Sequence, residues 1–135
     1  MKRLMNRFAR LFGLVLLVSL LAACGTAAPS SNTTTTNPTV TMSATTFGVN
    51  SVTVPKGGTI TFSDDAATGT MHILVIGKDG VAETESGAPD FGGTSGKSIN
   101  PGQSWTTPAW NTPGTYSVTC TIHPTTMTMT VTVTG

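Results

Sequence analysis

The chain has 135 residues, enough for one domain. Only 10% of them are charged, and four of the seven cations, Lys2, Arg3, Arg7 and Arg10, stand in the first ten residues. Beyond that leader, Lys56, Lys78 and Lys97 face six acids, a net charge of −3 with no arginine, which excludes a basic surface for nucleic acid.

The basic leader runs into an apolar stretch, residues 11–23, interrupted only by Gly13 and Ser19. At roughly a dozen residues it is too short for a membrane span, which needs about 20, and it fits a secretory signal peptide. The stretch closes on Leu21-Ala22-Ala23-Cys24, which resembles a bacterial lipobox. That resemblance implies a lipoprotein-type signal over residues 1–23. It also implies a lipidated Cys24 at the head of the mature chain, and an extracytoplasmic protein in the periplasm or on the cell surface. Residues 25–38 are Thr-, Ser-, Asn- and Pro-rich and bury nothing, so residues 24–38 read as a lipidated flexible tether. About 14 such residues give a reach of roughly 20 Å. The folded domain is expected over residues 39–135.

Two cysteines outside the cytoplasm invite a disulfide. Cys24, however, precedes a flexible segment and is expected to be acylated, which leaves Cys120 as the domain's one thiol. An unpaired thiol in an oxidising compartment needs burial or a metal.

From residue 39 the texture is β: Thr and Val are abundant, Gly and Pro punctuate, and no long stretch repeats with a period of 3.6. Strands are predicted over 39–46, 51–54, 59–63, 71–76, 104–107, 115–119 and 127–134. Turn signals separate them at Pro55-Lys56-Gly57-Gly58, Lys78-Asp79-Gly80, Pro101-Gly102 and Pro113-Gly114. In the last strand Met127, Met129, Val131 and Val133 face one way and four threonines the other, the pattern of a half-buried strand. The fold class is all-β, a Greek-key β-sandwich of about seven to eight strands. Residues 77–100 hold several glycines and four of the six acids, and read as a long loop with room for a short helix.

The whole chain has two histidines. His72 lies in the apolar run Met71-His72-Ile73-Leu74-Val75. His123 lies in Cys120-Thr121-Ile122-His123-Pro124-Thr125-Thr126-Met127. Two imidazoles, a thiolate and a thioether suit a trigonal His₂Cys copper with a long axial Met. Soft sulfur favours Cu(I), while imidazole serves both oxidation states. Taken singly, each residue has a plainer role: Cys is among the most buried residue types, a lone His in an apolar strand is commonly a satisfied core residue, and Met127 could be packing. Together, with both histidines at the required places, His72, Cys120, His123 and Met127 are predicted to bind one copper ion. Cys120 ends one strand and Met127 begins the next, so the short loop between them can aim three side chains at one point, and His72 joins from a distant strand.

The stretch from Pro113 to Pro124 is similar to the "PGTYxxxCxxHP" signature of the plastocyanin/azurin family of cupredoxins. Val52-Thr53-Val54-Pro55-Lys56-Gly57-Gly58-Thr59-Ile60-Thr61-Phe62 is similar to its "xVxxGxxVxF" strand pair. The resemblance spans roughly residue 39 to the end. It implies a type 1 (blue) copper electron carrier, not an enzyme, with redox protein partners in the cell envelope, no small-molecule substrate and a monomeric state. Electrons would pass through the exposed edge of His123 within an apolar patch lined by Pro124, Met71 and Pro113. Two positions depart from the family. Ile73 stands where many members carry an Asn that bridges the ligand loops, so loop rigidity is expected from packing. Ile122 stands where several carry Pro, so its N–H and that of Ile73 are available to the Cys120 sulfur. Of the two candidate axial thioethers, Met127 is preferred, since Met129 lies about 6.5–7 Å further down the strand. Three rivals remain. A copper chaperone or scavenger would use the same ligands. A multicopper oxidase or nitrite reductase needs histidines this chain lacks. An adhesion sandwich leaves the ligand set unexplained.

Overall fold

The computed structural model describes residues 33–135. The basic leader, the apolar stretch, Cys24 and most of the expected tether lie outside the described residues. The strands in chain order are β1 (Thr33–Thr34), β2 (Thr39–Met42), β3 (Ser51–Pro55), β4 (Thr61–Asp64), β5 (His72–Lys78), β6 (Val81–Ala82), β7 (Lys97–Ile99), β8 (Ser104–Thr106), β9 (Gly114–Cys120) and β10 (Thr128–Thr134). The larger sheet runs β1-β3-β10-β9-β5-β6, with β7 also paired to β5, and the smaller runs β2-β4-β8. Strands adjacent in space are mostly distant in sequence, as the Greek-key β-sandwich requires. Among the described residues no helix is long and apolar enough to cross a membrane.

Alternation of Thr with Val or Met makes these strands and decides which face they bury. In β10, Met129, Val131 and Val133 point inward and the threonines outward. That strand runs parallel to β3, with Val131 beside Val52 and Val133 beside Val54, and antiparallel to β9, with Val131 beside Tyr116. Phe62 of β4 and Val40 of β2, neighbours in the smaller sheet, close the core from the other side. Each such side chain contributes about 1.5–3 kcal/mol on burial. All seven predicted strands are present, with ends shifted by a few residues.

The other three strands are short, and two of them lie in residues 77–100. That segment is more than a connector. β6 and β7 flank it, a 3-10 turn occupies Gly93–Ser95, and Phe91 is buried in the core. The Phe91 ring meets Trp105 edge-on at 4.9 Å and Trp110 at 6.0 Å. Its backbone is held locally, with the Asp90 carboxylate accepting from the Gly92 and Gly93 N–H groups. A single aromatic thus ties a Gly-rich stretch to the sandwich. β1 pairs parallel to β3, and the Asn37 side chain accepts from the Thr59 N–H, so the described structure begins upstream of residue 39.

Tyr116 packs in the core against Trp110, and its hydroxyl donates to the Thr112 carbonyl at 2.8 Å. This backbone tie four residues upstream pins the corner before β9. It fixes the strand that ends in Cys120.

Candidate metal centre

His72 opens β5 and Cys120 closes β9, and both are fully buried. These strands lie side by side and antiparallel, with Leu74 opposite Cys120, so each presents an end at the same edge of the sandwich. The segment from Cys120 to Met127 then folds over that edge. The Cys120 N–H donates to the Met127 carbonyl at 2.9 Å, and the Met127 N–H donates to the His123 carbonyl at 3.1 Å. The Thr121 N–H donates to the Ile73 carbonyl at 3.0 Å, which joins this loop to the strand of the remote histidine.

The result is convergence. Cys120 Sγ lies 3.8 Å from His72 Nδ1 and 3.8 Å from His123 Nδ1, and the three atoms all lie within 4.8 Å of one another. A trigonal metal with bonds of about 2.0 Å to nitrogen and about 2.3 Å to sulfur sets those ligands about 3.7 Å apart. Both sulfur-to-nitrogen separations therefore match those that a shared ion sets. The imidazole rings are 5.4 Å apart and tilted by 56°, each offering Nδ1 to the common point. Met127 is fully buried, and its backbone is tied to both Cys120 and His123; Met129, on the same strand face, is also buried. His123 is half-buried, so this side of the site reaches the surface while His72 does not.

Two side chains that the sequence reading passed over support this arrangement. The buried Thr119 hydroxyl accepts from the Gly80 N–H at 2.9 Å, reaches the Met127 carbonyl at 3.1 Å and lies 2.8 Å from Thr128 Oγ1. It clamps the β5–β6 turn to the end of the ligand loop. In that turn Asp79 and Gly80 both take positive φ, 52° and 77°, as a two-residue hairpin turn requires. A Cβ on residue 80 would collide with Pro124, so glycine lets the turn abut the loop that carries His123. To any rigidity from packing around Ile73, this hydroxyl and the backbone hydrogen bonds add their own. The Cys120 sulfur has both imidazole nitrogens as neighbours. The Ile73 carbonyl, accepting from Thr121, is the group of that residue that serves the loop.

The second side chain is Asp64. Strand β4 alternates, so Phe62 and Asp64 share the buried face. Asp64 Oδ1 stands 3.6 Å from His72 Nε2, both side chains being sealed from solvent. The signal was legible: in Thr61-Phe62-Ser63-Asp64, period two sends the acid inward with the phenylalanine.

Burial pushes the His72 pKa below its ordinary value of 6.5; the Asp64 charge opposes that, His123 adds to it, and the Ser43 backbone opposes it weakly. A histidine depressed in the folded state binds fewer protons than in the unfolded one, so stability rises with pH across the interval between the two values. In the metal-free protein this contribution is intact above about pH 6.5 and is lost as pH falls toward the lower folded value. Urea unfolding of metal-free protein is expected to show declining stability over this interval, and His72→Gln is expected to flatten the decline. An unchanged slope in the variant refutes the assignment to His72.

Residues 34–134 match the family model for copper binding proteins of the plastocyanin/azurin family. Among solved structures, the chain is similar to dithionite-reduced auracyanin from the photosynthetic bacterium Roseiflexus castenholzii. The identity is 25%, covering 76% of this chain and 100% of that one, with a TM-score of 0.54. It is similar in fold to amicyanin from Paracoccus versutus, at 20% identity over 72% of this chain and 80% of that one, TM-score 0.51. It also resembles in fold part of a Cu-containing nitrite reductase from Thermus scotoductus SA-01. There the identity is 22% and the TM-score 0.53, over 73% of this chain but only 22% of the reductase. A search of curated proteins gives no match. With most of its length under the family model, and two imidazoles and a thiol gathered at one end of the sandwich, the protein belongs to the copper-binding plastocyanin/azurin family, whose cofactor is copper.

Proposed function

We propose that this protein is a type 1 (blue) copper electron carrier that works outside the cytoplasm, tethered to a membrane through lipidated Cys24. The observation that supports it best is the buried convergence of His72 Nδ1, His123 Nδ1 and Cys120 Sγ on one point. These three, with the Met127 thioether as a weak axial donor, would hold one copper ion, which when bound supplies a Cu(I)/Cu(II) one-electron couple. The chain's own part is to hold the ligands in one geometry. The loop is fixed by backbone bonds and by Thr119, so the donor set need not rearrange when the charge changes. The core keeps water from the Cys120 and His72 side of the site.

His123 is the proposed port for electrons. Exposed apolar residues neighbour the ligands in sequence: Met71 beside His72, and Ile122 and Pro124 beside His123. Gly80 abuts Pro124, which brings exposed Val81 to the same neighbourhood. Pro113 is exposed as well. Such a surface suits brief docking of a redox protein in the cell envelope, with the carrier acting as a monomer. A copper chaperone needs exchangeable ligands, and the burial of His72 and Cys120 argues against that reading. A copper enzyme needs further histidines, and both in this chain are used here. The signal peptide over residues 1–23 and a tether ahead of β1, shorter than the expected 24–38 because Thr33 and Thr34 pair with β3, belong to the proposal and rest on the sequence.

Copper(II)-loaded domain is expected to show an intense visible band near 600 nm, as the resemblance implies, and Cys120→Ser is expected to abolish it, because the colour arises from thiolate-to-copper charge transfer. Persistence of the band in the variant excludes Cys120 as the ligand.

The two methionines are expected to separate in phenotype. Met127→Leu keeps the blue colour and raises the reduction potential, because a donor to Cu(II) is lost, whereas Met129→Leu leaves the potential near that of the wild type. A redox titration in which these behaviours are exchanged moves the axial role to Met129.

Full-length protein is expected to fractionate with membranes, since the multiple acyl chains of a lipoprotein anchor stably. Release into the soluble extracytoplasmic fraction, with Cys24 unmodified by mass spectrometry, overturns the tether.

A further inference from the structure

A buried acid next to a metal ligand requires explanation, and Asp64 has few partners. Its Oδ1 accepts from Thr68 Oγ1 at 3.0 Å and stands 3.6 Å from His72 Nε2. Its Oδ2 has no hydrogen-bond partner, and His72 Nε2 has none at hydrogen-bond geometry, although the Ser43 backbone also interacts with the ring. No lysine reaches it: the contact with His72 is the one ion-pair-range contact among the described residues. Two buried polar atoms, Asp64 Oδ2 and His72 Nε2, thus stand unsatisfied, and Nε2 lies 3.6 Å from the other oxygen of the carboxylate, slightly too far for a hydrogen bond.

Occupancy of Nδ1 resolves this. Once the Nδ1 lone pair is committed to a metal, the ring proton must reside on Nε2, which points at the Asp64 carboxylate. A closure of about 0.7–0.9 Å turns the 3.6 Å separation into a charge-assisted bond of about 2.7–2.9 Å. Histidines that bind metals commonly donate their other N–H to a carboxylate or carbonyl, which fixes ring orientation and raises ligand basicity. Here the partner sits on β4, in the sheet opposite the one that carries His72 and Cys120. The smaller sheet thereby acquires a part in the site although it contributes none of the four proposed ligands.

We propose that Asp64 is the positioning residue of His72: its carboxylate holds the Nε2–H, keeps Nδ1 aimed at the metal, and places a fixed negative charge behind the ring that favours the more highly charged oxidation state. The inference rests on the copper-carrier reading for its redox part and on geometry alone for its tautomer part. In a low-dielectric surrounding such a charge is poorly screened, so it weighs on the metal more than a surface acid would. Asp64→Asn is nearly isosteric and keeps a carbonyl oxygen for Nε2–H while it removes the charge. Asp64→Leu removes both.

The experiment is a redox titration of the copper-loaded protein together with ¹⁵N NMR of the His72 ring in the metal-free protein. Asp64→Asn is expected to retain the visible band and to shift the Cu(I)/Cu(II) preference at least tenfold toward Cu(I), about 59 mV upward for one electron. In metal-free wild type the neutral His72 ring is expected to carry its proton on Nε2. Asp64→Asn is expected to preserve that tautomer and Asp64→Leu to redistribute it. General destabilisation moves neither the potential nor the tautomer in this pattern. An Asp64→Asn potential equal to that of the wild type overturns the charge effect, and an Nε2–H tautomer undisturbed in Asp64→Leu overturns the positioning role. A wild type that takes up copper without a blue band sinks the electron-carrier reading instead, and the tautomer measurement then decides the role of Asp64 by itself.

Discussion

The hydrogen bond from the Cys120 N–H to the Met127 carbonyl, 2.9 Å long, is the rung on which the site depends. It extends the β9–β10 pairing by one step past Thr119 and Thr128, so residues 121–126 must leave and re-enter at the same end of the sheet. A loop that short, closed a second time by the Met127 N–H on the His123 carbonyl, has little freedom. His123 is carried back over Cys120 as a consequence of that closure. Weakening the rung would release the donor set without touching any donor atom.

The same end of the sandwich is held from outside the ligand loop. Thr119 belongs to the face of β9 opposite Tyr116, Val118 and Cys120, a position that alternation would ordinarily give to solvent. It is buried because the β5–β6 turn folds onto it, and its hydroxyl then satisfies the Gly80 N–H. Without that hydroxyl the turn would leave a backbone donor unpaired, and the hydroxyl is itself satisfied by the Met127 carbonyl and Thr128 Oγ1. Phe91 secures the far part of the same segment by inserting into the aromatic core. The segment rich in glycine and acid is thus structural at both ends while its carboxylates stay near the surface.

Burial of His72 and Asp64 works against stability in the metal-free chain and in favour of a defined site. Two polar groups without full hydrogen bonding are a destabilising feature in a core otherwise made of Val, Ile, Met and aromatic side chains. The arrangement is consistent with a fold whose interior is completed by an ion. The exposed side of the site differs in kind: His123 is half-buried beside apolar surface, while the thiol and His72 remain sealed.

By itself the sequence determined the fold class, the seven principal strands and the four candidate ligands. Strand alternation has a period of two and is local, and two histidines placed around the one cysteine of the expected domain leave few ways to build a metal site. The Pro113-Gly114 signal likewise marked the turn that precedes β9. What only the tertiary structure decided were the contacts that join distant segments. Asp64 was visible as an inward-facing acid, but nothing local says that the residue across the sandwich is His72. Thr119 was one threonine among many, and its burial depends on where a turn some forty residues earlier comes to rest. Phe91 lay in a stretch whose glycines and acids masked its one anchor.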